Sequence, residues 1–279
     1  MGLPFTKMHG IGNDFVVIDA RRGGPVPDAE TIHAMADRHT GIGFDQLLVI
    51  EAARDPACAA AYSIRNSDGS CAEQCGNGAR CIGAWLLRAD VLAVGRDARL
   101  ESPAGVIGMR LIDAATIAVE MGEPEFEPER IPFDAPAAAL TYPLDVDGES
   151  IEISAVSMGN PHAVLEVDDT TAPRIDRLGP RLTVHPRFPH GVNAGFAQVL
   201  DARTVRLRVH ERGAGWTLAC GSGACAAVAA LHQRGRVGNE VRVELPGGAL
   251  TIAWPGPGKP LWMTGPAAFA FDGEWLRTA

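Results

Sequence analysis

The second half of this chain repeats motifs of the first half in the same order, and this duplication limits the possible folds more than any other feature. Four segments recur after 143 to 152 positions. One glycine-rich match alone would mean little, but four matches in one order indicate two copies of a single structural unit. The matched segments are 12–17 with 159–164, 43–46 with 195–198, 75–79 with 220–224, and 101–105 with 244–248.

Length and charge narrow the class of protein. A chain of 279 residues is long enough for two domains. Its formal net charge is −9 and it has no basic cluster, which argues against binding to nucleic acid or to an anionic membrane. No run reaches the ~18 apolar residues of a membrane span, and the N-terminal residues do not resemble a secretory signal. We therefore expect a cytoplasmic protein whose partner is a small molecule.

The positions of the lysines and cysteines indicate whether the chain could hold a cofactor or a metal. Lys7 and Lys259 are the only lysines, one at the chain start and one in a Pro-Gly turn, so a Schiff-base lysine for pyridoxal phosphate is not expected. Six cysteines without a secretory context are expected to be thiols. The spacing of Cys71, Cys75 and Cys81 differs from that of paired zinc knuckles. The sequence thus predicts no cofactor and no metal.

Periodicity predicts an α+β fold. The segment 124–143 holds five prolines, which suit neither a long helix nor a central strand, so the crossover between domains is expected there. Residues 224–231 are apolar on every side, which predicts a buried helix and hence a mixed sheet wrapped around it in each domain. The predicted strands are 15–19, 46–51, 104–112, 117–121, 205–210 and 241–245, and the predicted helices are 28–39, 77–88 and 222–233.

Two cysteines occupy the same place in the duplicated unit. Cys75 and Cys220 each precede a Gly-x-Gly segment and a predicted helix, where unpaired N–H groups and the helix dipole favour a thiolate. Their pKa is expected to fall from ~8.5 toward ~7. Two such groups could approach one carbon from opposite faces, as inversion of a stereocentre requires. The other cysteines are expected to be buried or half-buried: Cys58, Cys71, Cys81 and Cys225.

The same helix starts are candidate anion sites. Backbone N–H groups at the N-terminus of a helix bind carboxylates and phosphates. A substrate carboxylate held there would make the neighbouring α-carbon more acidic. The residues whose backbone N–H groups are predicted to bind it are Gly76, Asn77, Gly221 and Ser222.

Taken together, the motifs closely resemble the diaminopimelate epimerase family over nearly the whole chain. No single motif is enough, because a bare Cys-Gly-x-Gly also fits proline-type racemases. The resemblance implies two duplicated domains, 1–120 with 266–279 and 121–265, and a homodimer. Its carriers are residues 8–15, 41–46, 66–70, 74–81, 157–162, 192–196, 211–215 and 219–225.

The resemblance also implies an activity and residue roles. Members invert one stereocentre of LL-diaminopimelate to give the meso form, in lysine biosynthesis, without a cofactor. One thiolate of Cys75 and Cys220 removes the α-proton and the other, as a thiol, protonates the opposite face, while His162 and Glu211 assist. The residues implied to bind substrate are Asn13 and Gln46 in the pocket, and Asn66, Asn160, Asn193 and Arg212 around the distal end.

Two alternatives stay open from the residues. A proline-type or other amino-acid racemase on the same scaffold would use the same cysteines but would not need the distal asparagines and arginine. A thiol redox or binding protein would pair Cys75 with Cys220 reversibly and would exchange no α-proton. The substrate and the fate of the α-proton therefore distinguish the three hypotheses: the epimerase, the racemase and the thiol redox or binding protein.

Overall fold

The computed structural model describes residues 2–72 and 75–276, which fall into two compact units. The first unit comprises the described residues of Met1–Glu120 and Thr264–Ala279, and the second is Met121–Met263. Gln74 of the predicted motif, and the outermost residues of the predicted first domain, lie outside the described ranges. The domain limits given above, with a boundary at 265 and 266, stay a prediction.

Strands outnumber helices along the described chain. The helices are α1 (Ala29–Ala36), α2 (Gly76–Arg88), α3 (Pro173–Leu182) and α4 (Gly221–Gln233), with a short 3-10 turn at Pro128–Arg130. The strands are β1 (Leu3–Gly10), β2 (Asn13–Asp19), β3 (Gln46–Glu51), β4 (Ala60–Asn66), β5 (Cys71–Ala72), β6 (Asp97–Ser102), β7 (Gly105–Leu111), β8 (Thr116–Glu120), β9 (Tyr142–Val146), β10 (Glu149–Ser157), β11 (Pro161–Glu166), β12 (Asn193–Asp201), β13 (Thr204–Glu211), β14 (Gly215–Trp216), β15 (Glu240–Leu245), β16 (Gly248–Ala253), β17 (Trp262–Pro266) and β18 (Ala268–Trp275).

The first unit contains a mixed sheet in which the C-terminal strand joins the N-terminal one. Its order is β18, β1, β2, β3, β4, β6, β7, β8. Strands β2 and β3 are parallel, as are β4 and β6, and the other neighbours are antiparallel. The backbone N–H of Ala267 also donates to the carbonyl of Ala115, so the chain end is tied to this unit beside β8.

The second unit repeats this plan. Its sheet runs β9, β10, β11, β12, β13, β15, β16, with parallel pairs at β11 with β12 and at β13 with β15. In each unit a helix links the first parallel pair, and a short strand followed by a long helix links the second. The predicted α+β fold of two duplicated units is confirmed, because the order of elements and the directions of the strands both recur.

The parallel strands explain the apolar runs in the sequence. Strand β3 is buried from Leu47 to Ile50, and strand β11 from His162 to Leu165. Strands of parallel pairs are covered on both faces, so they carry continuous apolar segments instead of alternating ones.

The strand register corrects one of the sequence matches. Phe15 lies opposite Gln46 in the first unit, and His162 lies opposite Asn193 in the second. Gln46 is therefore equivalent to Asn193, 147 positions later. The match of 43–46 with 195–198 was therefore wrong. The pattern Gly-Phe-x-Gln occurs in both segments, but the strand pairing shows that the two segments are not at equivalent positions.

The helices α2 and α4 form the centre of their units. Helix α2 packs against β1, β2, β3, β7 and β8, and α4 packs against β10 to β13 and β16. In α4 every residue from Gly223 to Leu231 is buried, as its uniformly apolar sequence predicts. No helix among residues 2–72 and 75–276 is both long and apolar enough to cross a membrane.

The peripheral helices depart from the sequence prediction. Helix α1 is capped by Asp28, whose side chain accepts from the N–H of Thr31 at 2.9 Å, but it ends at Ala36 instead of His39. It stops because Asp37 turns the chain by accepting from the N–H groups of His39 and Thr40. Helix α3 was not predicted, since its sequence carries Pro173, Gly179 and Pro180 within ten residues.

Candidate active site

Cys75 is the N-cap residue of α2. Its backbone is extended, with φ −143° and ψ 104°, and its Sγ accepts from the N–H of Gly78 at 3.4 Å. Gly78 suits the close packing here, because a Cβ at this position would lie 3.1 Å from the Leu48 side chain, which would have to shift slightly. The thiol is half-buried. The predicted placement of this sulfur at a helix start is therefore confirmed.

Two amide side chains accompany Cys75. The Cys75 thiol lies 3.6 Å from Oδ1 of Asn13, and Nδ2 of Asn77 donates to the same oxygen at 3.2 Å. Asn13 opens β2 after the turn at Ile11 and Gly12, where both residues have positive φ. Asn77 and Gly76 are buried in the first turn of α2. Four predicted site residues thus meet at one point of the first unit.

A charged cluster lies behind Asn13. Nδ2 of Asn13 donates to Asp45 at 2.8 Å, and Arg38 bridges Asp45 and Asp14 with distances of 2.8 Å to each. Lys7 donates to Asp14 at 2.6 Å. Burial acts to raise the pKa of Asp14, but Arg38 and Lys7 outweigh it and lower the pKa to about 2. This cluster holds the start of β2 against the start of β3.

Gln46 and Asn66 form a second polar pair in the first unit. They lie opposite each other on β3 and β4, and Nε2 of Gln46 donates to Oδ1 of Asn66 at 3.0 Å. Nδ2 of Asn66 donates in turn to the hydroxyl of Ser70 at 3.0 Å. Both amides are therefore oriented by side-chain partners.

Cys220 is the N-cap residue of α4. Its backbone, with φ −120° and ψ 103°, resembles that of Cys75, but its side chain is buried. Sγ lies 3.7 Å from the hydroxyl of Ser222. Burial raises the pKa of Cys220 well above its usual range, and the Glu211 carboxylate raises it further, against opposing effects of Gly223 and Ser222. The predicted pKa near 7 was wrong for this cysteine, because desolvation exceeds the effect of the helix start.

Glu211 is held beside Cys220 by Thr217. The hydroxyl of Thr217 donates to Oε1 of Glu211 at 2.5 Å, and the Cys220 thiol hydrogen-bonds to the same carboxylate. Glu211 ends β13 opposite Gly215 of β14. Thr217 was not predicted as a site residue, although it lies only three residues before Cys220. Asp45 was not predicted either, although it lies in the motif at 41–46.

His162 and Asn160 form a buried pair. Nε2 of His162 lies 3.0 Å from Oδ1 of Asn160, and the ring is almost fully buried. Burial lowers the pKa of His162 to about 3, and the positive charge of Arg212 adds to this effect. The imidazole is consequently neutral at neutral pH.

Asn193 and Arg212 lie next to this pair. Asn193 pairs with His162 across β11 and β12, and its Oδ1 accepts from the backbone N–H of Arg212 at 2.8 Å. Nη1 of Arg212 donates to the carbonyl of His190 at 2.6 Å. The guanidinium carries further N–H donors in a planar fork that suits a carboxylate.

The remaining titratable residues offer no comparable arrangement. Among residues 2–72 and 75–276, no group of three His, Cys, Asp or Glu side chains is placed to hold a metal ion. All six cysteines are free. Cys58, Cys81 and Cys225 are buried as expected, whereas Cys71 is exposed and accepts from Arg65 at 2.5 Å. The prediction that Cys71 is at least half-buried was wrong, because Cys71 begins the two-residue strand β5 next to the exposed turn that joins it to β4.

Sequence comparison gives one family. The model described as diaminopimelate epimerase matches residues 5–127 and 154–270. Among the most similar relatives is the diaminopimelate epimerase of Xanthomonas axonopodis pv. citri (strain 306), with 56% identity over 99% of this chain and 97% of that protein. The diaminopimelate epimerase of Ectopseudomonas mendocina (strain ymp) is 50% identical over 98% of this chain and 99% of its own. The family resemblance drawn from the motifs is confirmed.

Solved structures share the fold at low identity. A hydroxyproline epimerase from Agrobacterium vitis, with bound trans-4-hydroxy-L-proline, matches with a TM-score of 0.71 and 19% identity, over 98% of this chain and 92% of that one. A PhzF-family phenazine biosynthesis protein from Bacillus anthracis matches with a TM-score of 0.71 and 14% identity, over 99% and 100% of the two chains. The duplicated scaffold is thus common to proteins of different names.

Proposed function

Because the chain belongs to the diaminopimelate epimerase family, we propose that it epimerises LL-2,6-diaminopimelate to the meso form in lysine biosynthesis. The observation that carries this proposal is the pair of cysteines, Cys75 and Cys220, each an N-cap with the same backbone conformation in a duplicated unit. Inverting a stereocentre through a carbanion-like state requires a base on one face and an acid on the other. A duplicated cysteine supplies one group for each task.

We propose that the two sulfurs share one proton between them. One cysteine, as thiolate, removes the α-proton of the substrate, and the other, as thiol, delivers a proton to the opposite face. Burial and Glu211 favour the thiol form of Cys220. In the resting enzyme Cys220 is accordingly the acid and Cys75 the base. After turnover Cys75 holds the proton and Cys220 is the thiolate, which is the form for the reverse reaction, so a proton must pass back before the next forward turnover.

The first turns of the two central helices are the proposed carboxylate site. Backbone N–H groups at Gly76, Asn77, Gly221 and Ser222 begin helices of thirteen residues each. A carboxylate there would be stabilised by the helix dipole and by hydrogen bonds, and the α-proton would become more acidic. The α-carbon would then lie next to the capping sulfur.

Polar side chains are proposed to bind the rest of the substrate. Diaminopimelate has an amino-acid group at each end, so the end that does not react needs its own partners. Arg212 suits the distal carboxylate, and Asn66, Asn160 and Asn193 suit its ammonium and oxygen atoms. Asn13 and Gln46 complete the pocket in this proposal.

His162 and Glu211 are proposed to assist the cysteines. The negative charge of Glu211 and its interaction with the Cys220 thiol favour the protonated sulfur, which keeps this cysteine ready to act as the acid. His162 stays neutral, since its pKa is lowered to about 3, and acts through its hydrogen bond to Asn160.

The enzyme is further proposed to need no cofactor and no metal. The chain offers Lys7 and Lys259 as its only lysines, and Lys7 is already bound to Asp14. A cytoplasmic homodimer without a nucleic-acid or membrane partner agrees with the family and with the net charge of −9. Sedimentation of the purified chain would test the dimer.

The test is proton NMR in deuterated buffer under reducing conditions, with LL-diaminopimelate and, separately, L-proline. The proposal predicts deuterium at the α-carbon and formation of the meso isomer with diaminopimelate, and no exchange with proline. Exchange with proline alone would assign a proline-type racemase. Exchange with neither substrate, together with reversible pairing of the two thiols, would favour a thiol redox protein.

A further inference from the structure

The side-chain amide of Asn13 has its two ends in different surroundings. Its oxygen faces Cys75 and Asn77, with Sγ at 3.6 Å and Nδ2 of Asn77 at 3.2 Å. Its nitrogen faces Asp45, whose Oδ2 lies 2.8 Å away. An amide turned by 180° would present an N–H donor to the sulfur instead of an oxygen acceptor.

Asp45 and Asn77 together favour the observed orientation, because the Asp45 carboxylate only accepts hydrogen bonds and Nδ2 of Asn77 donates to the opposite end of the amide. Oδ2 of Asp45 also accepts from the backbone N–H of Asp14 at 3.1 Å, and Oδ1 accepts from Arg38 at 2.8 Å. The carboxylate is therefore fixed from two sides. A flipped Asn13 would set its carbonyl oxygen against that carboxylate, which is repulsive.

We propose that Asp45 is a positioning residue that fixes the Asn13 amide, so that an oxygen and not an N–H group faces the Cys75 sulfur. This inference rests on the proposed function, in which Cys75 exchanges a proton with substrate. An acceptor facing the sulfur favours the thiol, whereas the N–H of Gly78 favours the thiolate. The orientation of Asn13 therefore sets the balance between the two forms.

The second unit has no carboxylate at the position equivalent to Asp45. Since Gln46 is equivalent to Asn193, the equivalent of Asp45 is Val192, which is apolar and buried. There the oxygen of Asn160, the equivalent of Asn13, faces His162. The hydrogen bond from the asparagine amide to a carboxylate is thus specific to the first unit.

Other charged groups around this point enter the test. Tyr62 and Cys81 interact electrostatically with Cys75 within the first unit. Lys7, Asp14 and Arg38 surround Asp45. A substitution at 45 removes a negative charge as well as an orienting acceptor, so the test must separate charge from orientation.

The experiment follows alkylation of Cys75 by iodoacetamide across pH, resolved by peptide mass spectrometry, in the full-length chain. In Asp45→Asn the new amide can donate as well as accept, so the Asn13 amide can turn, and Asn77 can turn with it because its Oδ1 has no hydrogen-bond partner among the described residues. An N–H group then reaches the sulfur, and the thiolate gains. At a pH below the alkylation midpoint the rate at Cys75 is expected to rise about threefold or more. Asp45→Ala should give the same direction, so the test holds if one variant is unstable.

Two controls isolate the orientation. Asp14→Asn removes a charge from the same cluster without touching Asn13, and its effect on Cys75 is expected to stay within about twofold. In an Asn13→Ala background, Asp45→Asn should have no further effect. An equal shift in both backgrounds, or none in either, would overturn the proposal. Alkylation needs no turnover, so the outcome is independent of whether diaminopimelate is the substrate.

Discussion

The two cysteine caps share a backbone but not an environment. Cys75 and Cys220 have similar φ and ψ, and both begin a thirteen-residue central helix. Cys75 is half-buried among the amides of Asn13 and Asn77, whereas Cys220 is buried against the Glu211 carboxylate. Duplication has preserved the frame that places each sulfur, while substitution of the neighbours has made the two thiols chemically unequal.

The register shows where the copies diverged. Arg65 pairs with Cys71 as His210 pairs with Trp216, so the next residues along β4 and β13, Asn66 and Glu211, are equivalent. By the same reasoning Phe15 corresponds to His162. A neutral amide and an apolar ring in the first unit are replaced by a carboxylate and an imidazole at the equivalent positions of the second. The difference suits an acid and a base that must differ at rest.

The largest expected effect tests whether both caps are needed. Cys75→Ala and Cys220→Ala should each lower kcat/KM for diaminopimelate by about 10³-fold, because each removes one of the two proposed proton-transfer groups. The matched control is Cys58→Ala, which removes a buried thiol outside the site. Near-normal activity of either cap variant would break the comparison, since a single sulfur would then suffice.

A smaller effect is expected for the charged cluster behind Asn13, which is particular to the first unit. It consists of Lys7, Asp14, Arg38 and Asp45. The pKa of Asp14 is lowered from 3.8 to about 2, so the stabilisation it gives is complete above pH 4 and is lost as the pH falls through about 2. Asp14→Asn should lower the free energy of unfolding at pH 7 by about 1–2 kcal/mol. Urea unfolding at pH 7 and at pH 2.5 would measure the difference.

The equivalent of Asp14 in the second unit is Pro161, so the control must come from another ion pair. Asp176 pairs with Arg208, but its side chain is 58% exposed. Asp176→Asn is expected to change the unfolding free energy by less than about 0.5 kcal/mol. A loss from Asp14→Asn that stayed undiminished at pH 2.5 would contradict the assigned pKa.

The smallest predicted effect concerns Thr217. Thr217→Val keeps the shape but removes the hydroxyl that orients Glu211, and kcat/KM should fall about fivefold. Thr217→Ser retains the donor and should restore activity to within about twofold of the original chain. If valine and serine behaved alike, the hydroxyl would have no part in placing the carboxylate.

Local sequence signals were sufficient for the frame of the site. The apolar helix at 224–231 and the strand at 46–51 were predicted directly, because burial and pairing leave clear patterns. The cysteine positions followed from the repeat. Helix α3 was not predicted, since Gly179 and Pro180 are poor helix formers. Gly179 is required because a Cβ there would lie 2.8 Å from Trp216.

The chemistry of the site was less predictable. A cysteine before Gly-x-Gly predicts a helix start but not the depth of burial, and at Cys220 burial determines the direction of the pKa shift. Asp45 acts on Asn13, which lies 32 residues away in the chain, and Thr217 acts on Glu211 across the turn between β13 and β14. Such contacts depend on strand register. The sequence match of 43–46 with 195–198 implied the wrong register.

The inequality of the two cysteines can be tested through the pH midpoint of iodoacetamide alkylation at Cys220, resolved by peptide, in the original chain and in Glu211→Gln. We expect a midpoint above the ordinary cysteine value of about 8.5, and a lower midpoint when the carboxylate is removed. A midpoint at or below about 8.5 that Glu211→Gln leaves unchanged would contradict this expectation, because the two caps would then be chemically alike.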